Sequence, residues 1–414
     1  MSHAQILTLD GDDEGLAFGW EMGADEPSAE ESLVSVDDVL APGDVLARIE
    51  DVVSVFLQDV AEGRDPSLKL VSRSRGNVAY QPAAAQQGQG QLEAGMGGGV
   101  ALGLGHRMTT RQLLSSRTQG AYAFARVFRV LEVVHELVRS GRHATQRDFY
   151  YKMLAGTALF RSATDANSAI QDCVSLLRVP RALMGVCCAS RGTVSGMLQI
   201  KDGPMNPWQD CSESGMGGRA IPGNLQEIEG MALRSTARYL LVIEKDAIFQ
   251  ALTQDRIFDT LPCVLVTGKG QPDLATRFFC NKLVESFPSI KVLGLVDWNP
   301  AGVSILKTFK FGSSASLEGS RFTLPSLKWL GLRSDMLAGD DHAKLTALTA
   351  RDDRLMPGLL STLSTLGEPE WRHEVQEMMA HKAKAEIEML YSGDGGMAGM
   401  AQVLVRTVTR GEYV

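Results

Sequence analysis

The chain has 414 residues, 44% of them hydrophobic and 6% aromatic, with a formal net charge of −8. That length allows two or three domains with real cores. No apolar run approaches the roughly 20 residues of a membrane span, the acidic start has no signal-peptide pattern, and the six cysteines lack zinc spacing, so the expectation is a reducing compartment, cytosol or nucleus.

The charge is uneven along the chain. Residues 1–66 carry 2 Lys/Arg against 17 Asp/Glu, whereas residues 106–200 carry 13 against 5. A basic middle beside an acidic arm fits a domain that binds a polyanion, and equally a basic solvated surface.

Residues 1–37 lack periodicity and predict a disordered acidic arm. In 38–75, Val45, Ile49, Val52, Phe56 and Val60 predict one helix. The Gly- and Gln-rich stretch 76–105 predicts a flexible linker, since none of its glycines fits a phosphate-binding G-x-G-x-x-G. Within 106–200 a helix carries Phe124, Val127, Leu131, Val134 and Val138, and stops at Gly141. A short helix follows with Arg147-Asp148-Phe149-Tyr150-Tyr151, then a third from about Asp165 to Leu177, ended by Pro180. Leu183 to Cys188 predicts a strand, and Gly192 and Gly196 predict the turns of a wing. Three helices and a hairpin make a winged-helix pattern. Its third helix is expected to enter the DNA groove, with Arg178, Arg181 and Arg191 on phosphates.

Residues 201–224 predict a connecting loop. In 225–414 the pattern becomes strand (239–243), helix (246–254), strand (263–266), helix (273–285), strand (291–296), helix (300–308), and finally helical packing over 368–390. Such alternation implies a parallel sheet with ligands beyond the carboxyl ends of its strands.

Glu244 and Asp297 close two of those strands. Alone, Glu244 reads as an acid at a helix start. With Asp297 at a matching strand end, the pair becomes a candidate Mg²⁺ site, because a divalent cation is the usual reason to tolerate two like charges in a crevice. Asn299 reads as a weak third ligand or as a turn residue before Pro300. Lys269, in Thr267-Gly268-Lys269-Gly270, reads as a phosphate contact or as an exposed loop lysine, and Asp273 as a helix cap. Consecutive helical tyrosines point about 100° apart, so one of Tyr150 and Tyr151 faces a site at most. Arg147 lies one turn before Tyr151, placed to stabilise a phenolate.

These residues resemble a known family over about 44–75 and 106–392: the meiotic double-strand-break transesterases, homologous to the A component of type IIB topoisomerase VI. Further matching motifs are Val179-Pro180-Arg181, Ile243-Glu244-Lys245-Asp246-Ala247, Pro272-Asp273-Leu274-Ala275-Thr276-Arg277, Lys310-Phe311-Gly312-Ser313 and Leu327-Lys328-Trp329-Leu330-Gly331. The resemblance implies an α/β multidomain chain: a winged-helix, catabolite-activator-like domain, then a parallel α/β Toprim domain. It makes Tyr151 the nucleophile that takes the 5′ phosphate of double-stranded DNA, Arg147 its helper, and Glu244 and Asp297 the Mg²⁺ ligands. It also implies a nuclear dimer, of one chain or with an A-type paralogue, in which one protomer's tyrosine meets the other's metal, and a topoisomerase VI B-like partner. Asp297-Trp298-Asn299 supplies one carboxylate where the Toprim pattern supplies two; with Pro300-Ala301-Gly302 it looks like the second plant-type paralogue. The rival readings are a Toprim nuclease that uses water and a catalytically supporting subunit.

Overall fold

The computed structural model describes residues 34, 36, 40–74, 77–82, 100–114, 118–154, 158–188, 190–312, 317–318, 322–337, 345–391 and 396–414. The acidic arm therefore lies almost wholly outside the described residues, as does 83–99 of the expected linker.

The first core is built by four helices. α1 (Pro42–Ala61) opens with proline in its first turn, and Asp44 accepts the Ala41 N–H at 2.9 Å, satisfying an otherwise orphan donor. α2 (Thr118–Ser140) stops where Gly141 turns left-handed, at φ +63. α3 (Gln146–Leu154) is short, and α4 (Ala163–Leu177) is capped by Ser162, which accepts the Asp165 N–H at 3.2 Å. Phe124, Val127, Leu131 and Val134 of α2 meet Phe149 and Met153 of α3 and Ile170, Cys173 and Val174 of α4. The 3.6-residue periodicity of the sequence is thus the packing pattern of this core.

Two antiparallel ribbons join the helices. One pairs β1 (Ser67–Val71) with β4 (Met108–Gln112), and between them β2 (Val78–Pro82) pairs with β3 (Val100–Leu104). The ends of the expected linker are therefore strands. Buried Asn77 secures them, its side-chain amide donating to Ser72 O and Gly105 O and its oxygen accepting the Arg107 N–H. Glycine richness between two β-competent runs had obscured the pairing.

The expected wing is also corrected. After β5 (Ala144–Thr145), only Val186–Cys187 of the predicted strand is extended (β6), because Pro180 O accepts N–H groups from Leu183 and Met184 and holds the preceding residues in a turn. Next, β7 (Thr193–Gly196) pairs antiparallel with residues 263–267 of the second unit, so among the described residues of 186–196 no wing hairpin forms. Gly192 and Gly196 predict turns, whereas the strand that lies there takes a partner some 70 residues on.

The second unit centres on a six-stranded sheet. Beyond β8 (Gln199–Lys201) and β9 (Gln209–Asp210) come β10 (Arg219–Ala220), β11 (Ala232–Arg234), β12 (Tyr239–Ile243), β13 (Cys263–Thr267), β14 (Lys291–Leu295) and β15 (Lys328–Gly331). The order is β10-β7-β13-β12-β14-β15, with β13, β12, β14 and β15 parallel. β8, β9 and β11 form a small separate sheet, so the segment read as a loop from 201 carries short strands. Helices complete the unit: α5 (Leu225–Gly230), α6 (Asp246–Gln254), α7 (Ile257–Thr260), α8 (Leu274–Ser286), α9 (Pro300–Phe311), α10 (Ala350–Leu366), α11 (Pro369–His381) and α12 (Gly396–Arg410). The strand-helix alternation from 239 to 311 stands as the sequence predicts. β12 and β13 read as continuous apolar runs because helices cover both faces of a parallel sheet.

Candidate active site

β12 and β14 pair in register, Ile243 opposite Leu295, which brings the acids following them together. Glu244 donates its N–H to Leu295 O at 3.0 Å, and its Oε2 accepts the Asp297 N–H at 2.9 Å. Asp297 is 6% exposed, and its Oδ1 accepts the Ile387 N–H at 2.9 Å and lies 3.1 Å from Lys245 Nζ. Lys245 Nζ also lies 2.7 Å from Glu388 and 3.4 Å from Glu386. Each crevice acid therefore has one oxygen engaged by the chain.

Burial, followed by the charge of Asp297, pushes the Glu244 carboxyl up to about 7. Burial also raises Asp297, although the Ile387 N–H and Lys245 oppose it. Lys245 is held above its usual range despite desolvation, by its hydrogen bond to Glu388 and the charge of Asp297. Two acids that resist ionising together are a donor set that fits an added cation. Among the described residues no three His, Cys, Asp or Glu side chains converge as a metal cage, so such an ion would rest mainly on Glu244, Asp297 and water.

The remaining candidates around the crevice divide. Asn299 caps α9, its Oδ1 accepting the Gly302 N–H at 2.7 Å, so the turn reading holds for that oxygen. The loop after β13 is tied to Glu244: Gly270 donates its N–H to Glu244 O at 2.9 Å, and Thr267 Oγ1 accepts the Lys269 N–H. Gly268 must be glycine, since a Cβ there would stand 2.8 Å from Pro272 Cα. Lys269 sits beside the crevice with Nζ 3.5 Å from Asp246. Asp273 caps α8 through the Thr276 N–H and also accepts the Arg191 N–H at 3.0 Å.

α3 settles which tyrosine faces outward. Phe149 and Met153, four residues apart, are fully buried and fix the inner face. Tyr151 is then 53% exposed, while Tyr150 packs against the first core with its ring centroid 5.7 Å from that of Tyr151. The Arg147 guanidinium carbon is 6.0 Å from the Tyr151 ring centroid. Tyr151 thus stands on the first core and the acid crevice on the second sheet.

α4, expected in the groove, is instead largely internal. Eight of its fifteen residues are buried, and its Asp172 is held by Arg73 and Arg111. α3 is the outward helix. Arg178 ends α4 in the left-handed region at φ 55. The Arg181 backbone N–H and Nε both donate to Glu318, whose side chain is 1% exposed, so Arg181 ties the first core to the segment after α9. That partner lies 137 residues away, with no sequence signal to reveal it.

The comparisons with known proteins match both halves. Residues 122–186 match the family model described as "Type IIB DNA topoisomerase", and residues 239–397 match the model of the Toprim domain shared by Spo11 and the A component of topoisomerase 6. Meiotic recombination protein SPO11-2 of Oryza sativa subsp. japonica is 37% identical over 91% of this chain and 94% of its own length. The Arabidopsis thaliana SPO11-2 is 35% identical over 92% and 96%, and the Homo sapiens meiotic recombination protein SPO11 31% identical over 92% and 90%. The chain belongs to the Spo11–topoisomerase VI A family.

Within that family it is SPO11-2-like, as the sequence resemblance expects. The Toprim match covers β12 to β15 and so contains the crevice, and the type IIB match contains α3. Sequence reasoning missed Lys245, Glu386, Glu388 and the Ile387 N–H as parts of the crevice. Lys245 was visible beside Glu244, whereas 386–388 arrives by a fold-back that no short-range spacing encodes. Trp298 makes that fold-back, exchanging both backbone hydrogen bonds with Ala385.

Proposed function

We propose that this protein is a topoisomerase-like transesterase that forms meiotic DNA double-strand breaks, with Tyr151 as its nucleophile. The observation that carries this reading is the exposed Tyr151 beside Arg147 on a helix anchored by Phe149 and Met153, in a chain that also builds the buried Glu244–Asp297 pair. The phenol yields its proton to water, the Tyr151 Oη–P bond forms, the P–O3′ bond breaks, and the leaving O3′ takes a proton from water. A free phenol has a pKa near 10, so a cation is needed to favour the attacking anion. Arg147 supplies that charge. Glu244 and Asp297 would hold Mg²⁺, which when bound supplies Lewis-acid charge to the phosphoryl oxygens.

The helical unit acts as the winged-helix domain of the catabolite-activator type, with α3 toward DNA. The reading includes a nuclear dimer, formed with a second copy or an A-type paralogue, and a topoisomerase VI B-like partner. Placement of Tyr151 and the acids on separate cores favours sites completed between protomers. A mixed dimer tests this. Tyr151→Phe and Glu244→Ala chains, each inactive alone, are expected to form one working site when combined, giving single-strand nicks. No nicking in verified mixed dimers would oppose sharing.

DNA contact is assigned to Arg178, Arg191 and Lys269, which border α4, β7 and the crevice loop. With Arg181 engaged by Glu318, Arg178→Ala with Arg191→Ala is the informative pair. It is expected to weaken duplex binding for all sequences and to reduce the salt slope by about one per lost phosphate contact. An unchanged slope in filter-binding titrations would remove them from the interface.

A further inference from the structure

Lys245 occupies the centre of the acidic side of the crevice. Its ammonium lies 2.7 Å from Glu388, 3.1 Å from Asp297 Oδ1 and 3.4 Å from Glu386, at the N-terminal cap of α6 where its own side chain caps nothing. Glu244 lies on the other side of Asp297, through the Asp297 N–H. Four carboxylates thus share one built-in positive charge. Asn299 adds no charge, being a neutral amide, and its oxygen accepts the Gly302 N–H of α9.

We propose that Lys245 is an internal cation that holds the Asp297–Glu386–Glu388 side and restricts the crevice to one divalent ion. The inference rests on the metal reading above and deepens it. One divalent ion beside Lys245 leaves the four acids nearly neutralised, whereas a second would have to displace the ammonium. The 2.7–3.4 Å spacings are those of a lysine ion pair, wider than the roughly 2.1 Å a Mg²⁺–oxygen bond needs. Glu386 and Glu388, 66% and 38% exposed, have room to close inward once the lysine is gone. Fixing Asp297 Oδ1 also leaves its second oxygen for the ion shared with Glu244, which makes Lys245 a positioning residue.

Mn²⁺ titration of the full chain without DNA tests this, by calorimetry and by the spin resonance of unbound Mn²⁺. The wild type is expected to bind one ion per chain. Lys245→Met is expected to bind two, the first at least about tenfold tighter because a neighbouring positive charge is lost. Lys245→Arg, which keeps the charge, should remain at one, and Glu388→Gln added to Lys245→Met should return the count to one. Lys245→Gln serves as a second neutral variant should the methionine variant fail to fold. A folded neutral variant that still binds a single ion with wild-type affinity overturns the lysine inference alone. A wild type that binds no Mn²⁺ overturns the metal reading and this inference with it.

Discussion

Tyr151→Phe is expected to abolish covalent protein–DNA complexes and breaks, while Tyr150→Phe keeps most of them. Deleting the Tyr151 hydroxyl removes the only atom able to bond phosphorus from that ring, which is about half exposed, so packing scarcely changes. Loss of at least about a thousandfold is the scale for removing a covalent nucleophile. Tyr150 contributes its ring to the first core, which phenylalanine fills as well. Counting covalent complexes after denaturation, with each variant as the sole copy, checks both halves. Complexes surviving in Tyr151→Phe would transfer the role elsewhere.

The second large effect concerns Glu244, and its direction follows from burial. Its carboxyl titrates at about 7 in the folded chain against 4.5 ordinarily. Between those values the folded chain keeps a proton that the unfolded chain has lost. Metal-free stability from this group is therefore present at low pH and declines as pH rises toward 7, by roughly 3.4 kcal/mol at most. Glu244→Gln should fold at least as well as wild type at pH 8 and yet not cleave. A metal ligand must be deprotonated, so Mg²⁺ affinity should fall about tenfold per pH unit below 7 and flatten above it. Calorimetry at pH 6, 7 and 8 reads this directly. An affinity independent of pH, or normal cleavage by Glu244→Gln without any other Toprim site in the dimer, would remove Glu244 from the chemistry.

The acid pair was legible in the sequence because a parallel sheet leaves a simple record. Apolar runs end at Ile243 and Val296, and in-register pairing brings their following residues together. The outward tyrosine was legible too, through Phe149 and Met153 at a four-residue spacing that fixes the inner face of α3. Helix capping by Asp273 and Asn299 followed from the short polar side chains before Leu274 and Pro300. What local pattern could not carry was partnership at long range. Gly192 and Gly196 read as the turns of a wing until β7 is seen paired with β13. Arg181 reads as a DNA contact until its backbone N–H and Nε are both seen on Glu318, and α4 as a groove helix until its burial is known. The lysine within the crevice required the fold-back at Ala385, set by backbone bonds to Trp298 that have no side-chain signature.

The central claim is that Tyr151 forms the bond to DNA. Its most direct test is mass spectrometry of protein purified from meiotic cells under denaturing conditions, digested with nuclease and protease, and searched for a nucleotide on the peptide spanning α3. A 5′-phosphonucleotide is expected on Tyr151 in the wild type and none on the α3 peptide of Tyr151→Phe. A nucleotide on Tyr150, or on a peptide outside α3, would contradict it.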